Sequence, residues 1–177
     1  MIAAVVLAAG ASTRFGSPKQ AVLLEPVLER VRGSSEVADV AVVLGAHELE
    51  TSAHAVLCPD WAQGPGASLR CGLAALGDDV EAAVVILGDG PRLDPRAIDR
   101  VVAAWRAGGG ASPRVAATYW GVRLHPLLLA RSAWTDVPEE GLRALPALLV
   151  PCDDLDSPGD VDFADDLDAG WLPPKAE

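Results

Sequence analysis

The stretch "MIAAVVLAAGASTRFGSPKQ" (residues 1–20) passes from an unbroken apolar segment into a loop of small residues, hydroxyls and one arginine, and ends on Lys19 and Gln20. A strand with one wet face alternates polar and apolar side chains. A run without polar members must be buried on both faces, as inner strands of a parallel sheet are. "IAAVVLA" is therefore expected to be such a strand, with the polar loop at its carboxyl end. The opening lacks the basic start of a secretory leader, so a strand is expected here rather than a signal peptide.

Working outward, the pattern repeats. "VLLEPVLERVRG" spaces Val22, Leu23, Val27, Leu28 and Val31 at helical intervals, with Pro26 near its start. "VADVAVVLG" and "HAVLCP" predict a second and a third strand, and "GASLRCGLAALG" a helix with Leu69, Leu73 and Leu76 on one face. "AAVVILG" is another buried strand and runs straight into Asp89. In "DPRAIDRVVAAWRAGG", Asp94 is the natural N-cap, Pro95 fits the first turn, and Gly108 to Gly110 end the helix. "RVAATYW" predicts a strand and "EEGLRALPALL" a short helix, followed by "LLVPC"; Gly121 to Trp134 match neither period cleanly. The tail "DSPGDVDFADDLDAGW" reads as a loop entering a last helix near Phe163.

Strands alternating with helices predict an α/β fold. The expectation is a single three-layer α/β/α domain over residues 1–177, with a mostly parallel sheet. In such sheets ligands bind beyond the carboxyl ends of the strands. The two most polar loops, after the first strand and after "AAVVILG", both lie there.

The formal charge of −11 argues against nucleic acid or an anionic membrane as partner, though a local cationic cluster can still take an anionic small molecule. Cys58, Cys71 and Cys152 form an odd set without CxxC spacing. They are expected to be reduced thiols of a cytoplasmic protein, neither disulfide-bonded nor zinc-bound.

The first loop suits phosphate. Ala8, Ala9 and Gly10 put no bulk in a ligand's way, and Ser12, Thr13, Arg14 and Lys19 add hydroxyls and cations beside backbone N–H groups. It is neither GxGxxG nor GxxxxGK[ST], and a strand-to-helix turn with solvated charges would carry much the same residues. Asp89, between two glycines at a strand tip, could hold a divalent cation against a phosphate, or simply serve a turn. Asp160 or Asp162 could join it, because Mg²⁺ commonly takes one or two carboxylates. His125, between apolar residues and a proline, is either packed structurally or positions a ligand.

Taken in order, five segments resemble one family. "LAAGASTRFGSPKQ" resembles LAAGxSxRMGxxKQ, the signature of nucleotidyltransferases similar to molybdenum cofactor cytidylyltransferase, within the MobA-like NTP transferases. "DWAQGPGASLRCGL", "VVILGDGPRLDP", "GVRLHPLLLARSAW" and "DSPGDVDFADDL" resemble its W-x-x-G-x-x-x-S-L-x-x-G-L, LGDQP, RGHPVLF-type and D-[IV]-D-T-P-E-D-L segments. The likeness spans nearly the whole chain. It departs at Phe15 for Met, Gly66 and Ala67 for serines, Gly90 for the Gln of GDQP, and Phe163-Ala164 for Thr-Pro. A loop is also shortened after Lys19.

The resemblance implies a Rossmann-like sheet of the nucleotide-diphospho-sugar transferase type. It implies Mg²⁺-dependent transfer of CMP from CTP to molybdopterin with release of pyrophosphate. Guanylyl or other nucleotidyl transfer to molybdopterin or another small phosphate is the alternative, as is a non-catalytic member that binds nucleotide or cofactor. Leu7, Ala8, Ala9, Gly10 and Ser12 would lie along the nucleotide, with Ser68 near the base. Lys19 and Arg14 would bind the triphosphate and, with Asp89, form the catalytic set; Asp89 and Asp162 would hold the metal, and His125 would face the acceptor. A molybdoenzyme or its chaperone would be a transient partner.

Overall fold

The computed structural model describes residues 1–12 and 19–159. Arg14, Asp160, Asp162 and the expected last helix lie outside them. Among the described residues the elements are β1 (Ile2–Leu7), α1 (Gln20–Arg32), β2 (Asp39–Leu44), β3 (His54–Leu57), α2 (Pro65–Ala74), β4 (Ala82–Leu87), α3 (Pro95–Ala107), β5 (Arg114–Tyr119), β6 (Val122–Ala130) and β7 (Leu148–Pro151). One seven-stranded sheet has the order β3-β2-β1-β4-β6-β5-β7. All its strands run one way except β6, which is antiparallel to both β4 and β5.

The unbroken apolar runs have the expected cause. Along β1, Ile2, Ala4 and Val6 pack against Val27, Leu28 and Val31 of α1 and Ile98, Val101 and Val102 of α3. Ala3 and Val5 face the other way, onto Leu69, Leu73 and Leu76. Successive strand side chains point to opposite faces, so a strand covered on both sides has no position for a polar residue. Two apolar layers, one on each face of the sheet, make the three-layer α/β/α arrangement.

The start of α3 also follows the local chemistry. The Asp94 side chain accepts a hydrogen bond from the Arg96 backbone N–H at 2.9 Å, and Pro95 takes the first turn. Gly108 closes the helix.

Two segments differ from expectation. Gly121 to Trp134, ambiguous in the sequence, contains β6 and then a 3₁₀ segment, Arg131–Asp136. Only Leu127 to Ala130 pair with β4, because Pro126 has no N–H for the ladder and the pairing stops beside it. The expected helix over 139–149 is absent. Gly141 has φ +81°, and the Arg123 guanidinium donates to the carbonyls of Leu142 and Leu145, which helical bonds would otherwise use. The thiol expectation is also corrected: Cys58 and Cys71 are joined as a disulfide, and Cys152 is buried and free. A bond between a loop and a helix separated by 13 residues is a tertiary fact that spacing alone does not reveal.

Candidate active site

The chain leaves β1 for β2 on one side and later returns to place β4 on β1's other side. At such a reversal the two following loops diverge and leave a crevice at the carboxyl ends of the strands. Asp89 enters that crevice from β4. Lys19 enters it from the end of the β1 loop, where its backbone carbonyl accepts from the N–H groups of Val22 and Leu23 as α1 begins. The Lys19 Nζ and Asp89 Oδ2 are 2.8 Å apart, with the side chains 12% and 23% exposed. The other carboxylate oxygen, Asp89 Oδ1, is buried and has no hydrogen-bond partner.

The β1 loop is held by backbone hydrogen bonds and by the side chains of Gln20 and His47. Ala8 N–H donates to the Val43 carbonyl, Gly88 N–H to Leu7, and Ala46 N–H to Ala9. Gln20, buried at the start of α1, donates from Nε2 to the Gly10 carbonyl at 3.0 Å and accepts from the Ser12 hydroxyl at 2.7 Å. Ser12 sits at φ 52°, a left-handed conformation that this clamp helps to hold. His47 adds a contact from its Nε2 to the Ala11 carbonyl at 3.1 Å. Ala8 and Ala9 are buried and Gly10 is exposed.

Beside this crevice lies a cavity of about 630 Å³, walled by Leu7, Leu69, Leu87, His125, Leu142 and the segment Ser157–Gly159. Burial pulls the His125 pKa down to about 4, despite an opposing pull from the Asp89 charge; the Arg123 charge also lowers it. The imidazole is therefore neutral near pH 7. Ser68 is buried in the first part of α2, between the cavity-lining Pro65 and Leu69 in sequence. Gly90 allows a close approach: a Cβ there would stand 3.1 Å from Pro158 Cβ and 3.3 Å from its carbonyl oxygen. The Arg92 N–H donates to that carbonyl at 3.0 Å.

The structure thus gathers Leu7, Lys19, Asp89 and His125 around one crevice and its cavity. The MobA-like NTP transferase domain model matches residues 4–153. The chain belongs to that family. It is a nucleotidyltransferase, and its sheet is the Rossmann-like one of such enzymes. Among solved structures, Rv0371c of Mycobacterium tuberculosis H37Rv is similar at 26% identity and a TM-score of 0.77, covering 94% of this chain and 95% of that one. A manganese complex of Rv0371c is similar at 24% identity and a TM-score of 0.73, covering 94% and 96%. Two others share the fold. CMP:2-keto-3-deoxy-manno-octonic acid synthetase complexed with CTP has 12% identity, a TM-score of 0.69 and coverage of 94% and 95%. Molybdopterin-guanine dinucleotide biosynthesis protein A of Archaeoglobus fulgidus has 18% identity, a TM-score of 0.65 and coverage of 95% of each chain. Among curated proteins none matches.

Within this MobA-like transferase, sequence reasoning passed over several site-building residues. Gln20 closes the first motif, but its clamp on Gly10 and Ser12 appears only in three dimensions. Arg123 pins the loop that carries Leu142, and Arg143 lines the cavity. Arg123 stands at the arginine of the RGHPVLF-type match, and Arg143 has no signal beyond its charge.

Proposed function

We infer that this MobA-like transferase moves CMP from CTP to molybdopterin, using Mg²⁺ and releasing pyrophosphate. The observation that carries the reading is the Lys19–Asp89 pair at the β1/β4 crevice, opening beside a largely apolar cavity that could take an acceptor. An oxygen of the acceptor phosphate forms a bond to the α-phosphorus of CTP. The bond from that phosphorus to the bridging oxygen breaks, and pyrophosphate leaves with its electron pair. No covalent enzyme intermediate is needed, so the protein's part is positioning and charge stabilisation.

Asp89 fits a hard divalent cation, because its Oδ1 is buried and bonds nothing in the protein. Asp89, with Asp162 as a second carboxylate, would hold it. When bound, such a cation neutralises phosphate charge. The manganese complex of Rv0371c supports a divalent cation in this fold.

Lys19 and Arg14 meet the triphosphate, and the backbone from Leu7 to Gly10, with Ser12 and Ser68, lies along the nucleoside. His125, neutral because it is buried, orients the acceptor without adding charge. A cytoplasmic location, one domain over the whole chain, and delivery to a molybdoenzyme or its chaperone belong to the same reading. No helix among the described residues is long and apolar enough to cross a membrane.

Guanylyl transfer to the same acceptor is the second reading, favoured by the fold likeness to molybdopterin-guanine dinucleotide biosynthesis protein A. Pyrophosphate release measured with each nucleoside triphosphate in parallel, with Mg²⁺ and molybdopterin, separates the two. CTP is expected to support turnover, Asp89→Ala to abolish it, and Lys19→Ala to lower it roughly 10²-fold or more. Undiminished turnover in both variants would remove the site assignment.

A further inference from the structure

Lys19 and Asp89 are each assigned to a different partner, a phosphate and a cation, yet they hold one another at 2.8 Å. The ammonium sits on Oδ2, while Oδ1 is buried and unpaired. With one oxygen out of water, the partly buried carboxylate is favoured by a positive neighbour. Lys19 supplies that charge when nothing else does.

We propose that Lys19 is a stand-in cation: it occupies the cation side of Asp89 until a nucleotide's phosphates draw it away, so that divalent cation and nucleotide bind cooperatively. This rests on the reading of Asp89 as a metal carboxylate. The ammonium and a divalent ion repel at one carboxylate, and the repulsion is strong where water is scarce. Lys19 can leave only for another anion, because its side chain is itself only 12% exposed. A polyphosphate arriving at the β1 loop offers that anion. Each ligand then removes an obstacle to the other, and linkage makes the effect reciprocal. A free site that repels cations also avoids holding one unproductively.

The test needs no turnover. Mn²⁺ binding is measured by the electron paramagnetic resonance of the free ion, without nucleotide and then with an α,β-methylene analogue of CTP. Lys19→Met is expected to bind Mn²⁺ at least tenfold more tightly than wild type, and the analogue to tighten wild type far more than the variant. Lys19→Arg, which keeps the charge, is expected to stay weak, and thermal melts establish that each variant is folded. If Lys19→Met binds no more tightly than wild type while Asp89→Asn abolishes binding, the stand-in role is wrong and the metal reading survives. If Asp89→Asn binds Mn²⁺ as wild type does, the metal reading itself fails and the proposal with it.

Discussion

The carbonyl oxygen of Pro138 lies 1.8 Å from the point where a Cβ on Gly66 would stand, and the Gly66 N–H donates to the Glu139 carbonyl at 2.9 Å. The start of α2 is thus laid against the loop that continues into Glu140, Gly141 and Leu142, all on the cavity wall. This gives a physical reason for glycine where the family pattern has serine: the backbone carbonyl fills the space. Gly66→Ala is expected to push the two segments apart, at a cost of about 1–3 kcal/mol in overpacking. Chemical denaturation reads the stability, and the acceptor KM is expected to rise more than the CTP KM. Equal stability in the two proteins would show that the contact yields freely.

His125 makes stability depend on pH in a fixed direction. Its folded pKa is about 4, below the ordinary value of 6.5, because burial disfavours the imidazolium. Between those two values the unfolded chain binds the extra proton and the folded protein does not, so stability rises with pH across that window and falls as acid is added. Asp89 opposes the shift and Arg123 reinforces it, but neither reverses it. The melting temperature of wild type minus that of His125→Gln, followed from pH 7.5 to 4, cancels groups common to both. The difference is expected to move against wild type below about pH 6.5. A flat difference would mean that His125 titrates as it does in water.

Much of the fold was legible because it rests on local rules. The doubly buried strands announced themselves by lacking polar residues, and Asp94-Pro95 and Gly108 bounded α3 as their chemistry requires. What could not be read depends on distant neighbours. β6 is half ladder and half cavity wall, so its pattern changes at Pro126. Leu142, Leu145 and Leu149 have helical spacing, but Arg123 and Gly141 impose turns on that segment. In the candidate site, the loop chemistry and Asp89 were visible as residue types. That Lys19 reaches Asp89 follows only from the strand order, and Arg14 and Asp162 lie outside the described residues.

The disulfide supplies a third test. Cys58 follows β3, with its N–H donated to the Leu44 carbonyl at 2.8 Å, and Cys71 lies on α2, so the bond ties the third strand's end to that helix. Closing a loop of 13 residues stabilises by about 3 kcal/mol in the chain-entropy account. At roughly 2–4 °C per kcal/mol for a chain of this size, Cys58→Ala/Cys71→Ala is expected to melt about 6–12 °C lower. Thiol titration of the unfolded, unreduced protein should find Cys152 alone reactive. Reaction of Cys58 and Cys71 as well would restore the expectation of reduced thiols.

Gly90 and Pro158 set the last prediction. The family pattern places glutamine at this position, but here Pro158 Cβ stands 3.1 Å from where the side chain would begin, and Gly159 carbonyl oxygen 3.4 Å away. The Ser157–Gly159 segment therefore fills with apolar wall what an amide would fill with donors and acceptors. The Arg92 N–H anchors that wall by its bond to the Pro158 carbonyl, so the segment cannot retreat without losing it. Gly90→Gln is expected to displace the segment and alter the cavity while leaving the β1 loop untouched. Steady-state kinetics should then show a several-fold rise in acceptor KM, an unchanged CTP KM, and a stability loss of about 1–3 kcal/mol. A variant that raised the CTP KM instead would place Pro158 and Gly90 against the nucleotide rather than the acceptor.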